Sequence, residues 1–97
     1  MSEYENFKKQ GIKEAEAMGR DIQLAAVTRE WFNLANHHRY SYHFDFAGRP
    51  IIQYPQDMVA MQELIWQIKP DLVVETGIAH GGSLIHSASM LALLDYC

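Results

Sequence analysis

Between Pro70 and Gly77 the chain carries one short apolar run, Leu72-Val73-Val74, followed by an acidic residue and a glycine-rich turn, Glu75-Thr76-Gly77-Ile78-Ala79-His80-Gly81-Gly82-Ser83. Three aliphatic residues bounded by Pro and Gly are too few for a helix and fit a buried parallel strand. From Ser83 the period changes. Leu84, Ala88, Leu91 and Ala92 recur at helical spacing, Ser83 is a suitable N-cap, and the helix is predicted to finish near Cys97. A strand, a tight turn and a helix start leave unpaired backbone N–H groups where the helix dipole favours negative charge. Gly77 permits a sharp exit from the strand, while Gly81 and Gly82 let a ligand approach the main chain without meeting a Cβ.

Side chains, rather than glycines, separate the three cofactor loops that this layout fits. A P-loop needs Lys between its last Gly and the Ser, but Gly82 runs straight into Ser83, so the phosphate-gripping charge is missing. A dinucleotide fingerprint is matched in degraded form by Gly77, Ala79 and Gly82, yet it also needs an acidic residue ~20 positions further on, past Cys97. A dinucleotide-binding oxidoreductase fragment therefore stays open as an alternative. The third loop has an acidic residue at the strand tip, two before the first Gly. Glu75 holds that place and suits an ammonium group such as the one on S-adenosylmethionine.

The segments Gly48-Arg49-Pro50-Ile51-Ile52-Gln53-Tyr54-Pro55-Gln56-Asp57-Met58 and Pro70 to Ser83, in that order, resemble the cephalosporin hydroxylase and rhamnosyl O-methyltransferase family. The resemblance covers residues 40 to 97 well and the N-terminal part loosely. It implies the S-adenosylmethionine-dependent methyltransferase fold, with Glu75, Thr76, Gly77, Ala79, Gly81, Gly82 and Ser83 around the methionine end of the cofactor. It also implies methyl transfer to a hydroxyl of a small molecule or sugar. The family's acidic metal cluster, which would hold Mg2+, and its ribose-binding acid would come from sequence further along. No catalytic residue and no metal ligand of this chain follows from the likeness.

Upstream the chain reads as helical scaffolding. Ser2 and Glu5 form a capping-box pattern, and Tyr4, Phe7 and Ile12 mark an apolar side of a helix that Gly19 is expected to interrupt. Asp21 then starts a second helix, with Leu24, Val27, Trp31 and Leu34 at the spacing of a buried stripe. His37, His38 and Arg39 place positive charge where it complements a helix C-terminus. From Tyr42 the rhythm becomes two, because Tyr42, Phe44 and Phe46 alternate with His43 and Asp45, which predicts an extended segment before Gly48. Asp57 is expected to cap a third helix running to about Lys69, with Met58, Met61, Ile65 and Ile68 on its core face. Gln53 and Gln56 either begin that helix or offer polar contacts to a ligand.

The histidines carry several readings. His43 and Asp45 form a His-x-Asp pair, two thirds of an iron-binding facial triad, but the helical and α/β surroundings are not its usual scaffold. His37 and His38 point in different directions on a helix and lack ligand-spaced partners for zinc. His80 lies within the turn, where it bonds loop or solvent or acts on a proton. His86 falls near the start of the last helix, where the dipole disfavours its charged form, so a structural role is expected.

Taken together, the pattern gives an α/β fold in which N-terminal helices precede the first strand-loop-helix of a Rossmann-like methyltransferase sheet. Residues 1–54 form a helical region with a short extended segment, and residues 55–97 begin the cofactor-binding domain. One convincing strand in 97 residues does not make a doubly wound sheet, so the chain reads as a truncated piece whose isolated form is inactive. The alternative is a non-catalytic interaction module that folds on association through exposed strand edges, and a homo-oligomer is expected. A composition of 48% hydrophobic and 11% aromatic residues is that of a globular chain. A net charge of −4 without a basic stripe argues against nucleic acid. No apolar run approaches the ~20 residues of a membrane span, and cytoplasmic residence is the expectation. The single cysteine, Cys97, offers no internal disulfide.

Overall fold

The computed structural model describes residues 2–96, so the expectation for Cys97 lies outside the described residues. Its elements are α1 (Glu3–Arg20), α2 (Ile22–Asn36), a single 3-10 turn (Tyr40–Tyr42), β1 (Phe44–Phe46), β2 (Arg49–Ile51), α3 (Pro55–Ile68) and α4 (Gly82–Tyr96). The chain divides after His37 into two compact units.

The first unit holds α1 and α2. The capping box forms as the sequence predicts: Glu5 N–H donates to Ser2 Oγ at 3.1 Å and Ser2 N–H donates to Glu5 Oε2 at 3.2 Å. The break between the helices comes at Asp21, not at Gly19. A helical Gly costs about 1 kcal/mol without ending the helix, whereas Asp21 takes extended backbone and serves both neighbours. Its N–H donates to Met18 O, and its Oδ1 accepts from Leu24 N–H at 3.0 Å. Neither helix has a buried residue. The expected stripe of Leu24, Val27, Trp31 and Leu34 is exposed, as are Tyr4, Phe7 and Ile12, because two helices cannot enclose an apolar face on both of them.

The second unit carries the hairpin, α3 and α4. Extended structure at Phe44 and Phe46 matches the alternation, while Tyr42 belongs to the preceding 3-10 turn, with the Arg39 guanidinium over its ring at 4.2 Å. Strands β1 and β2 pair antiparallel with Phe44 opposite Ile51, Asp45 opposite Pro50 and Phe46 opposite Arg49. Ala47 and Gly48 join them, both at positive φ, as a two-residue hairpin loop of right-handed twist needs. Pro50 is tolerated because β2 is an edge strand.

Pro55 occupies the first turn of α3, which places the cap at Tyr54 and moves Asp57, the expected cap, inside the helix. There its charge still complements the dipole. Lys69 closes α3 in the left-handed region, its N–H donating to Ile65 O and its Nζ to Trp66 O, both at 2.8 Å. Ile65 faces the core as expected and Met58 is half-buried, but Met61 and Ile68 are exposed. Ile51 and Ile65 are the buried apolar side chains among the described residues.

The predicted parallel strand at Leu72–Val74 is not formed. Among the described residues the sole sheet is the two-stranded hairpin, and a ladder cannot exist without a neighbouring strand. A period of two survives in the exposure, with Leu72 and Val74 open and Val73 and Glu75 half-buried. The result is a helix-rich α/β architecture with a small antiparallel sheet. No helix among the described residues is long and apolar enough to cross a membrane.

Candidate functional site

The turn after Val74 bends through three left-handed positions, Gly77 (φ 73°), Ala79 (φ 46°) and Gly81 (φ 90°). Gly81 N–H donates to Ile78 O at 2.8 Å and closes the bend. Gly77 supplies the turn that the sequence assigned to it. Ala79, by contrast, holds a conformation that costs an L-residue about 1–2 kcal/mol, a strain that collects at functional loops.

Helix α4 starts at Gly82, one residue before the expected cap, and Ile85 N–H donates to Gly81 O at 3.0 Å. Ser83 is thereby inside the first turn and released from capping. Its Oγ donates to Glu75 Oε1 at 3.1 Å, and Ser87 Oγ donates to the same oxygen at 2.9 Å. Ser83 and Ser87 are four apart, so one helix face presents both hydroxyls to one carboxylate. Ser87 is buried and Glu75 half-buried, which fixes the carboxylate against α4. The apolar repeat did not select this face. Leu84, Ala88 and Ala92 are exposed, and the covered side runs through Gly82, His86 and Ser87. A helix that is apolar nearly all round gives periodicity little to act on.

A cavity of about 340 Å³ opens beside the turn. It is lined by Glu75, Thr76, Gly77, Ile78, Ala79 and Ser83 together with Pro50 and Ile51 of β2, the following Ile52 and Gln53, and Met61 of α3. Five of the seven residues expected to bind cofactor, Glu75, Thr76, Gly77, Ala79 and Ser83, meet there. Gly81 lies outside it, on an adjoining cavity of about 280 Å³ with Arg49, Pro50, Ile78, Ala79 and His80. Gly82 lines neither cavity. It is buried under β2, where an added Cβ would run into Pro50 O and come within 2.7 Å of Ile51 Cβ, so its missing side chain serves the contact between α4 and the hairpin.

The other polar candidates separate. Gln53 reaches the larger cavity and Gln56 is exposed in the first turn of α3. His43 Nε2 is hydrogen-bonded to His38 O at 2.8 Å and Asp45 is exposed on β1. His86 is buried, edge-on to Phe46 with ring centroids 4.9 Å apart, a packing role as expected. Among the described residues no three His, Cys, Asp or Glu side chains gather as a metal ion requires. Two members of the site escaped the sequence reading. Ser87 left a signal, the Ser-x-x-x-Ser spacing behind an acidic strand tip, whereas Arg49 reaches the turn only through the hairpin and left none.

The family model described as rhamnosyl O-methyltransferase/CmcI matches residues 38–96. That span includes the hairpin, α3, the turn and α4. No curated protein and no solved structure was found to match the chain.

Proposed function

The chain belongs to the rhamnosyl O-methyltransferase/CmcI family, and from that premise we propose that it carries the first cofactor-binding motif of an S-adenosylmethionine-dependent O-methyltransferase. The observation that carries the reading is Glu75, held by two serine hydroxyls at the wall of a cavity that the main-chain turn Thr76 to Ala79 also lines. A carboxylate fixed in this way accepts hydrogen bonds from the ammonium of an amino-acid head without first having to order itself. Thr76, Gly77, Ala79 and Ser83 line the same space, Gly81 closes the turn, Gly82 seats α4 on the hairpin, and about 340 Å³ suits the methionine end rather than a whole dinucleotide. It stands at the lower end of ligand pockets, which run from about 300 to 1,000 Å³.

When bound, the cofactor supplies an electrophilic methyl on a sulfonium. The residues of this chain bind and orient its amino-acid end, a contribution of positioning. The methyl acceptor is proposed to be a hydroxyl of a small molecule or sugar, on the strength of the family alone. A homo-oligomeric state belongs to the same reading, supported by the many large apolar side chains open on both units.

The test is an amide NMR titration of the 97-residue chain with S-adenosylmethionine. Contacts to one end of the ligand, roughly 10 heavy atoms at about −0.3 to −0.4 kcal/mol each, correspond to dissociation constants in the millimolar range. Shifts concentrated in residues 75–83 and weakened by Glu75→Gln are expected. Shifts absent at 10-fold millimolar excess, or confined to α1 and α2, would overturn the reading.

A further inference from the structure

The two cavities beside the turn are not independent. They share Pro50, Ile78 and Ala79, and they carry opposite charge: Glu75 lines the larger and Arg49 the smaller. The Arg49 guanidinium lies directly over the Gly81 main chain, with Nη2 3.5 Å and Nε 3.7 Å from where a Cβ on Gly81 would stand. A Cβ there would be in ordinary contact with that guanidinium, and it is the left-handed φ of 90° that calls for glycine at the place where Arg49 and the turn meet. Two residues further on, Ser83 bonds Glu75, so the cationic and the anionic group meet the chain within the three residues Gly81 to Ser83.

We infer that Arg49, reaching the turn from β2, binds the carboxylate of the same amino-acid head whose ammonium is taken by Glu75, so that the paired cavities form a receptor for a zwitterion. This assignment rests on the cofactor reading above and adds to it a residue outside the glycine-rich segment. An α-amino acid separates ammonium nitrogen from carboxylate oxygen by roughly 3 Å, and a hydrogen bond of about 2.8 Å at each end lets it bridge groups roughly 8 Å apart. A guanidinium suits the task because its planar fork meets a carboxylate with two parallel donors. The Phe46 to Arg49 pairing fixes the register that brings the guanidinium beside Gly81, while Pro50 and Ile51 of the same strand clamp Gly82.

Decarboxylated S-adenosylmethionine keeps the ammonium, sulfonium and nucleoside and lacks only the carboxylate, so it isolates the contact. The 97-residue chain and its Arg49→Ala and Arg49→Lys variants are titrated with both ligands, following the amides of residues 75–83. Arg49 is exposed, which limits the effect to about fivefold. Arg49→Ala is expected to weaken S-adenosylmethionine about fivefold and leave the decarboxylated ligand unchanged, with Arg49→Lys between the two. An equal loss for both ligands would mean that the variant damages the hairpin rather than a carboxylate contact, and would overturn the inference. So would unchanged binding of both, although the turn itself would then stand as the cofactor loop. Failure of either ligand to shift the turn in the wild-type chain would overturn the cofactor reading and this assignment together.

Discussion

Gly82 and Gly11 sit in helices at the same backbone geometry, yet their missing side chains do different things. Around Gly11, in α1, nothing lies within 4 Å of an added Cβ, so Gly11→Ala gains helix propensity, about 1 kcal/mol, at no steric cost. At Gly82 the same gain is opposed by a collision with Pro50 carbonyl and Ile51 Cβ. Backbone cannot step aside as a flexible side chain does, and overpacking of this kind costs about 1–3 kcal/mol. The steric term wins. Gly82→Ala is expected to speed hydrogen exchange at the α4 amides, while Gly11→Ala slows it at the α1 amides. Unchanged or slower exchange in α4 would mean that β2 does not press on Gly82, and the glycine would return to the role of admitting a ligand.

The hairpin is the element that arranges the site, and its turn is not optimal. Ala47 sits at φ 49°, a region that costs alanine roughly 1 kcal/mol and that asparagine enters more readily. Ala47→Asn should stabilise the second unit by about 0.5–1 kcal/mol, a rise of about 2–8 °C in its melting temperature. A fall would show that the loop does not hold the two positive-φ residues that the register requires. This turn also marks how far the elements were legible in the sequence. Strand β1 was readable because Phe44 and Phe46 alternate with polar residues, and the caps at Ser2 and Asp21 were readable because they act within three residues. The start of α4 was misplaced by two residues, since Gly81 and Ser83 are both acceptable caps and only the packing of Gly82 on β2 decides between them. Residues 72–74 were read as a strand from composition, but strand formation is a property of pairs, and among the described residues no strand pairs with them. Within the site, Glu75 and Gly77 were evident because turn chemistry is local. Arg49 was not, because a hairpin brings it there.

Across the whole molecule, the described residues bury two apolar side chains, Ile51 and Ile65, while Phe7, Ile22, Ile68, Leu72, Val74 and Tyr96 are all more than half exposed. Each buried isoleucine contributes about 1.5–3 kcal/mol, too little to offset the ordering of a unit of this length. Open apolar surface on this scale is what a protein interface removes from water. A net charge of −4 spread over 97 residues opposes self-association only weakly at physiological salt, where screening acts over about 8 Å. Stability coupled to assembly has a signature that a stable monomer lacks: it follows mass action. Raising the chain concentration 100-fold adds about 2.7 kcal/mol of association free energy, shared between two copies in a dimer. At about 4–8 °C per kcal/mol this corresponds to a rise of at least 5 °C in melting temperature. Calorimetric melts at 5 and 500 μM, roughly the span that mass action requires, with sedimentation at both, are the measurement. A melting temperature that does not move, in a sample sedimenting as one chain throughout, would show that this small core is sufficient alone and that its open apolar side chains have no second copy to cover them.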